Sequence, residues 1–239
     1  MVSSRVNSSV LGVFERPALV WMVQRLPPWV TPDQLTAIGF LGALVCAAGY
    51  IGSRWSLQYL WLTCFGLILH WAGDSLDGNL ARIRNIERRR YGFFIDHTSD
   101  LFAQTIVFLS MGLSVCARFD VSCLGLISFF AAFIYSMIHA HVHDTMRITY
   151  FGFGPTEIRA LMLLGAIVTM CFGVTDVSNW LGLPPVLQPF TIYDVVICFL
   201  AFAGIASIAV LAIKEGRRLS LEDPLNTTKR GLTSPQQKH

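Results

Sequence analysis

Charge is scarce in this chain. Asp, Glu, Lys and Arg supply 14% of its 239 residues and hydrophobic residues 54%, whereas a soluble domain carries about 25% charged residues. That balance excludes an ordinary soluble domain, because too little polar sequence remains to cover the apolar runs. The net charge of +3 is too small and too dispersed to read as a nucleic-acid surface, so no nucleic-acid partner is expected. Six cysteines contain no C-x-x-C pair, and most sit inside apolar runs as small buried hydrophobes. Cys116 and Cys123 flank a predicted external turn and are the one pair placed to bridge, although nothing in the sequence requires it. No Ser/His or Cys/His arrangement for a covalent intermediate is apparent, and no repeat of 20 to 50 residues recurs. The start is not expected to act as a signal peptide, because Glu15, Arg16 and Pro17 interrupt its apolar residues.

What is present is concentrated between Asp74 and Asp100. The first half reads Asp74-Ser75-Leu76-Asp77-Gly78-Asn79-Leu80-Ala81-Arg82; after nine residues, the second reads Gly92-Phe93-Phe94-Ile95-Asp96-His97-Thr98-Ser99-Asp100. At about 100° per residue, Asp74, Asp77, Gly78, Ala81 and Arg82 share one face of a helix. Gly92, Asp96 and Asp100 step by four and share a face of the next. Two helices joined by a basic turn would aim four acids at one point. An Asp near the centre of a membrane helix costs about 2.5–3.5 kcal/mol, and neighbouring carboxylates repel one another. Divalent cations relieve both problems, and hard ions such as Mg²⁺ prefer carboxylate oxygen. A polar helix interface without chemistry is the plainer alternative, but intramembrane acids are functional by default.

The apolar pattern predicts an all-α fold: a polytopic bundle of about six transmembrane helices preceded by an interfacial amphipathic helix. Residues 1–30 form the N-terminal segment, with the helix over about Val10 to Val30 and Trp21 and Trp29 as anchors. Residues 31–218 form the membrane domain. Spans are expected over about Thr31–Gly52, Trp55–Arg82, Tyr91–Val115, Val121–Arg147, Pro155–Gly173 and Thr191–Ile213, each near the ~20 residues that cross a bilayer. Breakers Gly182, Pro184, Pro185 and Pro189 mark the last long loop. Residues 219–239 read as a disordered cytosolic tail. Arginine and lysine gather on one side of this map, at Arg84, Arg88, Arg89 and Arg90, at Arg147, and in the tail, with Arg54 and Arg118 opposite. The termini and the acidic site would then face the cytosol.

Other polar residues admit two readings. Thr31 and Pro32 suit a helix start; Asp33 and Thr36 read first as cap and turn residues, with reach to the acidic site as the alternative. His139 and His143 share a helix face, while His141 points away. They are candidates for substrate contact, for metal binding, or for plain interfacial polarity. The Arg88-Arg89-Arg90 run serves topology or attracts phosphate and anionic lipid. Phe151 to Arg159 sets a turn and a helix start, with Glu157 and Arg159 as possible substrate contacts.

The motif resembles the CDP-alcohol phosphotransferase family, whose signature is D-x-x-D-G-x-x-A-R, a spacer, then G-x-x-x-D-x-x-x-D. Every specified position is present. The resemblance implies an integral membrane enzyme of phospholipid synthesis that passes a phospho-alcohol group from a CDP-linked donor to a hydroxyl and releases CMP. It implies that Asp74, Asp77, Asp96 and Asp100 bind two Mg²⁺ or Mn²⁺ ions and that Asp100 is the base. Asp74, Asp77, Gly78, Ala81, Arg82 and Gly92 would form the nucleotide pocket, with Arg82 on a phosphate. A homodimer among membrane lipids is implied too. Bacterial-like length favours CDP-diacylglycerol with a small polar alcohol, in a bacterial inner membrane. Gly154-Pro155-Thr156-Glu157 and Asp96-His97 resemble segments of choline and ethanolamine phosphotransferases, which favours a CDP-amino-alcohol with diacylglycerol. A cation transporter with an acidic midplane site is the rival from another class, separable by nucleotide dependence.

Overall fold

Glycines set the closest contact in the bundle. In a computed structural model, which describes residues 4–6, 12–143, 145–147, 155–178 and 189–223, the helices are α1 (Gly12–Arg25), α2 (Pro32–Gly52), α3 (Leu60–Ile83), α4 (Arg89–Gly112), α5 (Phe119–His143), α6 (Pro155–Phe172) and α7 (Ile192–Glu222). Helices α2 and α3 approach so closely that a Cβ added at Gly42 or Gly66 would overlap the backbone of the other helix. Small residues on facing stripes allow this in membrane helices. The approach brings Thr36 and Gly39 of α2 against the polar face of α3.

The rest of the core follows from that pair. Ala43, Cys46, Tyr50, Leu60, Cys64 and Leu67 are buried between α2 and α3, and Val107 and Met111 of α4 close over them. Helix α5 lies against α4 and α7, and α6 against α3. The predicted cap is present: Thr31 and Gln34 form a capping box and Pro32 opens α2. Thr191 and Asp194 form a second box at α7. There Thr191 Oγ1 donates to Cys116 O at 2.5 Å and Asp194 Oδ1 accepts from Arg118 N at 2.8 Å, so the loop before α5 is sewn to α7.

The all-α expectation holds, apart from a three-residue parallel pairing of Ser4–Val6 with Thr145–Arg147. Each predicted span has a helix. Helices α2, α5 and α7 are long and apolar enough to cross a membrane by length and composition. Helix α7 buries only Tyr193, Asp194 and Ala201 and turns Phe199 and Phe202 outward; such an apolar exterior suits lipid. Boundaries differ at three places, one being the end of α5, which stops at His143 where the span is predicted to run to Arg147. Before α3, Ser56 caps a short 3-10 turn, Leu57–Tyr59, where a continuous span is predicted from Trp55. Helix α7 continues past Ile213 to Glu222, supported by Arg218 pairing with Glu215 and Glu222 one turn away on either side.

Helix α1 is present, but its polar residues are not all turned to water. Leu19 and Val23 bury against Leu76 and Leu80 of α3, Trp21 and Trp29 stay exposed, and Glu15 is turned into the bundle. Cys116 and Cys123 are not bridged; all six cysteines are free. The predicted turn at Gly152–Gly154, the breakers Gly182, Pro184 and Pro185, and the tail beyond residue 223 lie outside the described residues.

Candidate functional site

A cleft between α2, α3 and α4 collects the acids. Thr36, Gly39 and Phe40 line it from α2, His70, Asp74 and Asp77 from α3, and Asp96, Ser99, Asp100 and Ala103 from α4. The four-residue and three-residue steps read from the sequence place them so. Carboxylate oxygens of Asp74, Asp96 and Asp100 lie within 4.8 Å of one another. Asp77 lines the same cleft but is turned aside: its Oδ2 accepts from Thr36 Oγ1 at 2.5 Å and its Oδ1 from the Gly78 amide at 2.5 Å. Thr36 therefore reaches the acidic site. Asp33 does not; it pairs with Arg88 at 2.5 Å, tying the start of α2 to the start of α4. That bond raises the Arg88 guanidinium further above its ordinary value.

One buried cation stands among the acids. Arg159 of α6 is 8% exposed, and its Nη1 lies 2.7 Å from Asp74 Oδ2. Its Nη2 lies 3.3 Å from His70 Nε2. His70 is itself buried, with Nδ1 3.0 Å from the carbonyl oxygen of Gly39. A carbonyl only accepts, so Nδ1 carries the proton and Nε2 presents a lone pair to the guanidinium. Gln104 Nε2 approaches the same ring nitrogen at 3.4 Å. Gly39, His70, Arg159 and Asp74 thus form one chain of contacts from the α2 backbone to the acids. Arg159, expected as a possible substrate contact, stands in this chain. Removing either partner would leave the other charge uncompensated in the bundle, which is costly.

A fifth acid braces the cleft from behind. Glu15 Oε1 accepts from Trp71 Nε1 at 2.8 Å and Ser75 Oγ at 3.1 Å, and Oε2 accepts from Thr156 Oγ1 at 3.2 Å. It joins α1 and the first turn of α6 to α3. His70, Gln104 and Glu15 are absent from the sequence-derived site. His70 had a legible signal, since residues 70, 74 and 77 share a helix face. Gln104 likewise continues the 96–100 step. Glu15 carried no signal beyond being a charge in an apolar stretch.

The remaining predicted residues are dispersed around this cleft. Arg82 Nη2 donates to Asn79 Oδ1 at 3.1 Å, and its guanidinium runs beside Gly78. Ala81 precedes it on α3. Gly92 is exposed one turn before Asp96, with open space where a Cβ would stand. Glu157 is half-buried in the first turn of α6. His139 and His143 are not on the cleft: they meet Glu215 of α7. Arg84, in the basic turn, donates to the carbonyls of Leu26 and Val30 at 2.8 and 2.7 Å and closes the turn between α1 and α2.

Three carboxylates within one ion's reach are hard oxygen donors, and the single Arg159 guanidinium offsets only part of their repulsion. These acidic groups fit a divalent cation.

The sequence profile of the CDP-alcohol phosphatidyltransferase family matches residues 29–200. Among individual proteins, Cholinephosphotransferase 1 of Danio rerio is 26% identical over 209 residues, covering 79% of this chain and 52% of the relative. Phosphatidylinositol phosphate synthase of Cutibacterium acnes is 36% identical over 84 residues, covering 35% of this chain and 38% of the relative. Archaetidylinositol phosphate synthase of Pyrococcus horikoshii is 33% identical over 98 residues, covering 41% and 49%. The chain thus spans about half the length or less of these relatives. The matched region holds the whole acidic cleft and most of the apolar helices, and the chain is an integral membrane protein that belongs to the CDP-alcohol phosphatidyltransferase family.

Proposed function

We propose that this protein transfers a substituted phosphate from a CDP-linked donor to a hydroxyl acceptor, releasing CMP. The observation that carries the reading is the meeting of Asp74, Asp96 and Asp100 from two helices beside the buried Arg159. Asp74, Asp77, Asp96 and Asp100 would hold two Mg²⁺ or Mn²⁺ ions, which supply charge neutralisation at the phosphates. Asp77 would turn from Thr36 to take part. Gly78, Ala81 and Gly92 would admit the nucleotide close to the backbone, and Arg82 would bind a donor phosphate. Asp100 would accept the proton of the acceptor hydroxyl as the new oxygen–phosphorus bond forms and the bond to CMP breaks. Arg159, held by His70, would keep Asp74 oriented through the cycle.

A CDP-linked amino alcohol with diacylglycerol is the first substrate pair to test. Its support is the cholinephosphotransferase similarity over 79% of the chain, with Gly154-Pro155-Thr156-Glu157 and His97 in keeping. CDP-diacylglycerol with a small polar alcohol is the second, supported by the shorter but more identical match to the phosphatidylinositol phosphate synthase. Purified protein given each donor with a panel of acceptors should release CMP from one donor class, with the product identified by mass spectrometry. No CMP from any donor would contradict the reading.

The six-span arrangement, with the acids opening to the cytosol, belongs to the same proposal and rests on the arginine and lysine distribution. Single cysteines at Arg89 and the exposed Thr175, in a background without native cysteines, should label from opposite sides. Pairing of two copies is read out by mass in detergent.

A further inference from the structure

A second cluster of metal-ligating side chains lies outside the acidic cleft. His139 and His143 occupy one face of α5 near its C-terminal end, with ring centroids 4.6 Å apart. Glu215 faces them from α7. Ligand atoms of all three lie within 4.8 Å of one another. His143 Nε2 is 2.6 Å from Glu215 Oε1. Helix α7 has 31 residues and is roughly 46 Å long, more than the ~30 Å hydrocarbon core. Its C-terminal turns therefore project beyond the core when its apolar part spans it.

We propose that His139, His143 and Glu215 bind a divalent transition-metal ion of the Zn²⁺ class and thereby clamp α7 to α5. Imidazole nitrogen with one carboxylate suits Zn²⁺, whereas a set of aspartates suits Mg²⁺ or Mn²⁺. Ligands held about 2.0–2.1 Å from a shared tetrahedral ion stand about 3.3 Å from one another. The cluster reaches that spacing if the His139 ring moves in and the close His143–Glu215 contact opens slightly. Three protein ligands leave the fourth position to water.

A plain ion-pair cluster is the competing account, because Arg218 also stands here. Its Nη2 is 2.7 Å from Glu215 Oε1. The buried Oε1 nevertheless receives no well-aligned hydrogen bond, although buried carboxylate oxygens ordinarily have one. Arg218 Nη2 is 3.3 Å from both ring nitrogens of His143, so it is aligned with neither lone pair. It also has another acceptor one turn on, since its Nε lies 3.4 Å from Glu222 Oε1. The guanidinium can therefore turn toward Glu222 as a metal ion enters. Arg218 is the built-in competitor of the ion, and that gives the proposal a signature that an ion-pair cluster lacks.

The test is a ZnCl₂ titration by calorimetry on the full-length, tag-free protein in detergent, stripped with chelator and held in excess Mg²⁺. One Zn²⁺ should bind per chain without displacement by Mg²⁺. His139→Ala combined with His143→Ala should weaken it roughly 100-fold or more. Arg218→Gln should tighten it about tenfold, by removing the competing cation. Asp96→Asn with Asp100→Asn should leave it unchanged. The proposal is overturned if wild type binds no Zn²⁺ at micromolar concentration. It is also overturned if the double histidine variant binds as wild type does, or if the aspartate variant loses the site. Should the histidine variant fail to fold, unchanged affinity in the half-exposed Arg218→Gln decides against it.

Discussion

The chain assembles two polar clusters inside apolar helices, and they are built differently. In the cleft of α2, α3 and α4, the acids share a buried scaffold: Gly39 fixes His70, His70 meets Arg159, and Arg159 pairs with Asp74. At α5 and α7, His143, Glu215 and Arg218 meet near helix ends, and Arg218 is 53% exposed. The first cluster is embedded where glycines draw two backbones together. The second joins side chains across an interface with solvent at hand. Buried charges that lose a partner are strongly penalised, and exposed ones lose little. Identical kinds of substitution should therefore have unequal consequences in the two places.

The largest contrast is catalytic. Asp100→Asn keeps the side chain's shape and removes its basicity, so turnover should fall about 10²- to 10⁴-fold. Donor binding should suffer less than in Asp74→Asn, as calorimetry would show. His143→Ala, measured alongside, should leave turnover within about threefold, since it sits off the cleft. Equal losses in the two variants would erase the distinction.

Next comes the scaffold. Arg159→Met should strand Asp74 without its buried partner and destabilise the protein by about 3–5 kcal/mol, visible as a lower melting temperature in detergent. Arg218→Met should cost no more than about 1 kcal/mol. A smaller loss for Arg159 than for Arg218 would mean that the His70–Arg159–Asp74 chain is not the brace described above.

Gly66→Val addresses what brings the first cluster together. The added carbons meet the α2 backbone at Cys46, so overpacking should cost about 1–3 kcal/mol or more and loosen the Thr36–Asp77 contact. The smallest functional effect is expected at Thr36→Val, which removes the one hydrogen bond that holds Asp77 aside. Because Asp77 must leave Thr36 to reach the ions, donor affinity should hold or rise by less than about threefold, with the metal requirement kept.

The two clusters also differ in how far the sequence announced them. Asp74, Asp77, Asp96 and Asp100 were legible because helical periodicity alone puts them on facing stripes. So were the helix starts at Thr31 and Thr191, where side-chain chemistry is local. His139 and His143 were legible as a pair on one face, but Glu215 was not, because it joins them from another helix more than seventy positions away. The same holds for the contacts of Arg159 and Glu15, whose partners lie 85–89 and 56–141 residues off along the chain. Their placement follows from packing between helices, and single-helix periodicity does not contain it. Asp77 makes the point at finer scale: its helix face was right, while the Thr36 hydroxyl on α2 sets its rotamer.

The central claim is that the acidic cleft performs metal-dependent transfer from a CDP-linked donor. Its most direct test is CMP release by purified protein before and after chelation. Excess chelator should abolish release, and Mg²⁺ or Mn²⁺ should restore it. Full-rate CMP release in excess chelator would contradict the account.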